Sequence, residues 1–437
     1  MRKFILSMIL ILISISTLFY IFFITDNPKS SKIIKFDSGD SAWMIVATAL
    51  VLIMTPGLGF FYGGMVGKKN SISTMLQSYM AMVIVTIVWI TIGYGLSFGP
   101  SIGGIIGNPL PNLFFHDVDI KTASNLAPTI PVLLFALFQA KFAIITPAII
   151  TGAFAERIRF WAYLLFMIFF ILLVYAPLAH MAWHPNGILY KIGVLDFAGG
   201  TVVHMSAGWA ALAGALLLGK RKIQKPKPTR ITYIILGTGL SWFGWFGFNA
   251  GSAFGANEIA VQALGTTTTA GATAALTWVF LDKILGNKLS AIGACVGAVT
   301  GLVAITPAAG FVSIAHAMTI GIIASGISNL VVSKFPKGKI DDALDVFACH
   351  GIGGMIGILL TGVFASKSIN PKITDQGLIF GETTLIFHQV IALVSISFFA
   401  FTMSYFIFLL VNKITPLRVS DNNEDLGLDI SQHGEFL

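Results

Sequence analysis

The chain has 437 residues, of which 56% are hydrophobic and only 11% charged, where soluble domains carry about 25% charged residues. That balance excludes a soluble enzyme or binding module and points to a polytopic membrane protein. The net charge of +8 comes from basic residues scattered in loops between apolar runs, so a nucleic-acid partner is not expected. The two cysteines, Cys295 and Cys349, lie in separate apolar segments and form no disulfide framework.

The chain opens on MRKFILSMILILISISTLFYIFF, a basic start followed by a long apolar run. Residues 1–25 are expected to be a signal peptide, with an extra transmembrane helix as the alternative; the run exceeds a usual signal core and no small-x-small cleavage site follows it. A membrane helix needs about 20 mostly apolar residues. Eleven such segments follow, at about 42–66, 72–98, 128–153, 161–180, 197–219, 231–252, 259–281, 289–306, 309–333, 346–365 and 385–412. They make residues 40–412 one transmembrane domain and leave 413–437 as a tail.

Alternate loops carry 17 of the 27 basic residues, including Lys68, Arg157, the cluster from Lys220 to Arg230, Lys283 and Lys334, together with Lys413 and Arg418 of the tail. The opposite loops carry seven. Basic loops stay in the cytoplasm, so the N-terminus of the domain is expected outside and the tail inside.

The two halves share short motifs. IITPA (Ile144 to Ala148) in the third segment matches AITPA (Ala304 to Ala308) in the eighth. Asp196 precedes His204 by eight residues in the fifth segment, and Asp342 precedes His350 by eight in the tenth. Five helices per half makes the second run opposite to the first. This is the pattern of an inverted repeat, whose sites lie at the repeat interface near the bilayer midplane.

A lone histidine on an apolar helix is more often a hydrogen-bonded packing residue than a working one. The repeat changes that reading, because His204 and His350 would face each other across a pseudo-twofold axis. Two neutral imidazoles in contact offer a donor and an acceptor to a small polar solute in a narrow pore. Asp196 suits a helix N-cap, and its field also favours an arriving cation; Asp342 reads as its structural counterpart. FALFQAKFA places Phe138 and Phe142 on one helical face, and WFGWFGFNAGS does the same for Phe248 and Ser252, with Trp245 a turn before. Most phenylalanines here are ordinary core, yet such rings with Trp183 also suit a cation–π vestibule. A metalloenzyme built on His204, His350 and Cys349 is disfavoured: neighbours on one helix point apart, and a catalytic metal usually needs three converging ligands. No phosphate-binding loop and no cofactor are expected.

DFAGGTVVHMSAG (Asp196 to Gly208), with PGLGFFYGG (Pro56 to Gly64), ITPAIITGAFAERIRF (Ile145 to Phe160), WFGFNAGSAFGANEIA (Trp245 to Ala260) and DVFACHGIGG (Asp345 to Gly354), strongly resembles the ammonium transporter family (Amt/Mep/Rh), on its bacterial Amt branch. The resemblance spans about residues 40 to 435. It implies an all-α polytopic membrane protein of eleven transmembrane helices, in two inverted five-helix repeats plus a final helix, with the N-terminus out and the C-terminus in. It further implies a homotrimer in the plasma (inner) membrane with one pore per subunit, moving ammonium or ammonia and methylammonium, and no enzyme activity. The substrate site would be Trp183, Phe142 and Ser252 with Phe138, supported by Asp196; the gate would be Phe142 on Phe248; and the pore would be lined by His204 and His350. Thr306 is a further candidate for the outer vestibule. The tail from Leu417 to Glu435 matches the family's regulatory C-terminal motif, which a PII-family protein can meet at the cytoplasmic face. An ammonium sensor with little transport and an Rh-like gas channel are the alternatives. Lys141 departs from the pattern: beside Phe142, a charged amine facing the pore would repel ammonium, so it is expected to face away or snorkel.

Overall fold

A computed structural model describes residues 35–222, 227–334 and 340–437. The segment 1–25, read as a signal peptide or extra helix, lies outside the described residues. Helices fill most of the chain: α1 (Ser38–Met65), α2 (Lys68–Phe98), α3 (Val132–Phe154), α4 (Phe160–Lys191), α5 (Gly200–Leu218), α6 (Ile231–Gly251), α7 (Glu258–Ile284), α8 (Ala291–Ile305), α9 (Ile314–Lys334), α10 (Phe347–Phe364) and α11 (Thr384–Ile414). Among the described residues, nine of these are long and apolar enough to cross a membrane. The other two are α7, whose long helix is diluted by the threonine run 266–269, and α8, whose 15 residues rise only about 22 Å. A two-residue hairpin, β1 (Ser101–Ile102) on β2 (Ile106–Gly107), folds the loop after α2.

Several helices start where a polar side chain accepts an otherwise unpaired backbone N–H. Asp37 caps α1 through the Asp40 amide at 2.8 Å, Asn257 caps α7 through Ala260, and Ser290 caps α8 through Gly293. α1 and α6 pack antiparallel along their lengths. Gly247 of α6 lies on Ala47 of α1, Gly237 on Phe61, and Ile234 on Gly64. A Cβ on Gly237 would stand 2.3 Å from the Phe61 nitrogen, so the contact needs glycine there. In the most apolar window of α5, 83% of residues are buried, against 39% for α2 and α11. α5 is therefore the central post, and α2 and α11 present their flanks outward.

At the end that carries Lys68, Arg157 and Arg221, charges are paired rather than scattered. The buried Arg221 guanidinium donates to Glu156 at 2.8 Å and to Asp341 at 2.9 Å. Burial alone would raise the Asp341 carboxyl, but the hydrogen bonds from Arg221 outweigh it and hold the group below its ordinary value. The tail folds back onto this end. Asp429 accepts the Ile72 and Ser73 amides at the start of α2, Arg418 pairs with Glu424 at 2.7 Å, and the Leu428 amide donates to Asn70.

Candidate functional site

α5 begins with a loop tied to one carboxylate. Asp196 accepts the amides of Gly199 (2.9 Å), Gly200 (2.7 Å), Thr201 (2.9 Å) and Val202 (3.4 Å), and also the Thr201 hydroxyl. Gly199 sits at φ +102°, a left-handed turn that glycine adopts without strain. Both oxygens of the carboxylate are thus engaged by the first residues of α5 and the glycine before it. The Asp196 carbonyl meanwhile accepts the Trp183 indole N–H at 3.1 Å, which fixes that ring at the end of the helical run of α4.

Trp183 overlooks a pocket of about 150 Å³. Phe142, Ser252 and Asp196, all singled out in the sequence, share its wall with Gln139, Phe254 and Phe311, which were not. Phe138 is not on that wall. It lies behind Phe142, with ring centroids 5.0 Å apart, and is pinned by Phe254 and by the bare backbone of Gly251. Sharing a helical face with Phe142 therefore puts it in the support of the pocket.

Phe142, in the wall of the pocket, is backed by a second ring. Phe142 and Phe248 stack at 4.0 Å with an interplanar angle of 20°. Phe248 is held from its own helix, where its carbonyl accepts the Ser252 hydroxyl at 2.9 Å. Directly beyond lies His204, its ring 5.9 Å from Phe248.

His204 and His350 meet through their Nδ1 atoms at 3.2 Å, although 146 residues separate them. One Nδ1 must carry the hydrogen and the other accept it. Both sit one turn into their helices, each in a π-helical turn (Gly200–Met205 and Phe347–Ile352). The segment expected at 197–219 begins three residues before the helix, because the loop after Asp196 is equally apolar. Such π turns often mark functional positions. The close crossing that joins the rings depends on Gly208, where a Cβ would stand 2.3 Å from Gly351. Gly354 meets Met205 in the reciprocal contact, with the same 146-residue offset. The His204 ring is backed by Trp245, stacked at 5.3 Å, and Trp245 donates its N–H to Thr306 at 2.9 Å. Thr306 is wholly buried, so it anchors Trp245 instead of lining the vestibule. The Nε2 of His204 has no partner among the described residues.

A sequence model of the Ammonium Transporter Family matches residues 42–437. The chain is 44% identical to the ammonium transporter of Bacillus subtilis, covering 91% of this chain and 98% of that one, and 44% identical to the ammonium transporter of Aquifex aeolicus, covering 92% and 93%. The chain belongs to the ammonium transporter family. Among solved structures it resembles Saccharomyces cerevisiae Mep2 (TM-score 0.84, 36% identity, 92% of each chain) and a structure titled Sensor Amt Protein (TM-score 0.82, 29% identity, 90% of this chain and 98% of that one).

Within this family member, Lys141 shares a partly exposed stripe of α3 with Leu134 and Leu137, while its neighbour Phe142 is buried in the pocket wall. The amine thus points away from the stacked rings of Phe142 and Phe248. Cys349, next to His350, is buried and free, and no cluster of three metal-ligating side chains exists among the described residues. Gln139 carried a signal that sequence reading passed over: it is a polar residue inside an apolar helix, three positions before Phe142. Its buried Oε1 has no hydrogen-bond partner among the described residues. Phe254 and Phe311 carried none, because they reach the pocket from distant turns.

Proposed function

We propose that the chain transports ammonium nitrogen across a membrane by recruiting the cation in the Trp183 pocket, removing its proton at the phenylalanine gate, and passing ammonia along His204 and His350. The observation that carries this is the order of parts: an aromatic pocket with acceptor oxygens, a closed ring pair, then two histidines in contact. Ammonium has four N–H donors and no lone pair. The Gln139 Oε1 and the Ser252 hydroxyl oxygen are acceptors for it, and Trp183 and Phe142 supply ring faces worth up to about 2 kcal/mol each when desolvated. An isolated charge taken into a medium of low dielectric costs tens of kcal/mol by Born solvation. Two or three ring contacts cannot offset that, so the proton is left behind and the neutral base crosses. The unpartnered Nε2 of His204 suits a neutral solute that can both donate and accept.

The same reading takes all eleven helices as membrane spans, with two inverted five-helix halves related by the Gly208 and Gly354 contacts. Asp196 and the pocket then face outward and the basic loops face the cytoplasm of a plasma-membrane homotrimer. The folded-back tail is the surface a PII-type partner would meet. A sensor with little transport is the second reading, favoured by the 29% identity to a protein titled as a sensor. Uptake of methylammonium by cells lacking their own transporter tests both. Uptake above the empty-vector level is expected, and its absence from a correctly inserted protein would favour the sensor.

A further inference from the structure

The 146-residue offset that pairs His204 with His350 also pairs Asp196 with Asp342 and Thr201 with Phe347. The two carboxylates cap their helices in the same way: Asp342 Oδ2 accepts the Phe347 amide at 2.7 Å, as Asp196 Oδ2 accepts that of Thr201. They differ in their other bonds. Oδ2 of Asp196 also accepts the Thr201 hydroxyl, which the phenylalanine at the matching position lacks, and Oδ1 of Asp196 accepts the Gly199 and Gly200 amides. Asp342 Oδ1 is left buried without a hydrogen-bond partner among the described residues. A carboxylate oxygen kept from water without a donor is costly unless it takes a proton.

We propose that Asp342 is a proton-donating residue at the cytoplasmic end of the pore, delivering its proton to ammonia that has passed His350. The proposal rests on the ammonia-conduction reading above and on its orientation. In the step, the Asp342 O–H bond breaks and an N–H bond forms on the ammonia lone pair. Ammonium leaves, the carboxylate remains, and a proton from cytoplasmic water restores it. Trapping the base as a cation that cannot return through the ring gate favours net inward movement.

The surroundings fit a group that titrates. Burial is the main cause that raises the Asp342 carboxyl, to about 6, against the pull of the Phe347 and Val346 amides and of Arg157, with Asp341 adding repulsion. Arg157 spends its donors on the carbonyls of Gly219, Ala155 and Asp341, and Asp341 is itself paired with Arg221. Tyr62 of α1 and Cys349 of α10 face the same carboxylate, and Asp345 adds its charge beside Cys349. At a cytoplasmic pH near 7, about a tenth of such a group holds its proton.

The test uses the full chain in proteoliposomes with the tail inside, a fixed outer pH, and inner pH varied from about 5 to about 8. Initial methylammonium uptake is compared for wild type and Asp342→Asn, which keeps an oxygen for the Phe347 amide but carries no acid proton. The wild-type rate is expected to exceed the variant severalfold at acid inner pH, with the ratio approaching one as inner pH rises. A ratio independent of inner pH overturns the proposal. Wild-type vesicles without uptake overturn the transport reading as well, whereas wild-type uptake with a flat ratio overturns this proposal alone. Should Asp342→Asn fail to fold, Asp342→Glu carries the test: the inner-pH midpoint is expected to shift, and an unshifted midpoint overturns the proposal.

Discussion

Replacing Asp196 with asparagine separates two roles for that residue. The carboxylate accepts four backbone amides and one hydroxyl from the start of α5. Asparagine has one oxygen, so its amide group would face donors that now find acceptors. Losing charge-assisted bonds of about 1.5–3 kcal/mol each, with one or two donors left buried, predicts a destabilisation of roughly 3–5 kcal/mol. At roughly 1–2 °C per kcal/mol for a chain of this size, the melting temperature should fall by roughly 3–10 °C. The Trp183 indole hangs from the Asp196 carbonyl, so the pocket loosens with the cap. Thermal unfolding of the purified variant, measured beside methylammonium uptake, should show both quantities falling together. A variant that melts with the wild type yet takes up nothing would refute the capping argument and make the charge itself the working part.

Four further outcomes follow from the same geometry. Thr306→Val removes the acceptor of the Trp245 N–H while keeping its shape, so uptake should fall because a loosened Trp245 no longer backs His204, and the buried N–H left unpaired should cost about 1–3 kcal/mol of stability; unchanged uptake would show that the backing is dispensable. Lys141→Leu should leave uptake near wild type, since the amine lies on the stripe away from the gate, and a strong gain in uptake would place it on the pore. The Arg221 cluster sets an acid limit. The Asp341 carboxyl is depressed, so its contribution to stability is complete above the ordinary carboxylate range, about 4, and is lost as pH falls through the depressed value. Melting temperatures across acid pH should show that loss. In Arg221→Met, which leaves Glu156 and Asp341 buried without their partner, the protein should be about 3–5 kcal/mol less stable at neutral pH.

Much of the candidate site was legible in the sequence because short motifs recur in it. The matched Asp-to-His spacing marked His204 and His350 as a pair, and their rings do touch. Phe142 with Phe248 and Trp183 with Ser252 also came together, on the strength of the family resemblance. Phe138 shows where helical spacing stops being informative. It tells which residues share a face, but the packing of Gly251 and Phe254 decides which end of that face meets the pocket. The start of α5 was misjudged by a turn because the capping loop from Asp196 to Gly199 is as apolar as the helix it opens. Thr306 was placed on the vestibule by the family resemblance, which said nothing of its bond to Trp245. The open oxygen of Asp342 was invisible in the sequence, because it depends on which donors reach the carboxylate in space.

The most direct measurement is methylammonium uptake by wild type, His204→Ala and His350→Ala in cells without another ammonium transporter, at low substrate and with membrane abundance checked. Conduction of ammonia along the pair predicts uptake by the wild type and a severe loss in each single variant. Equal uptake by a correctly inserted His204→Ala protein would contradict it.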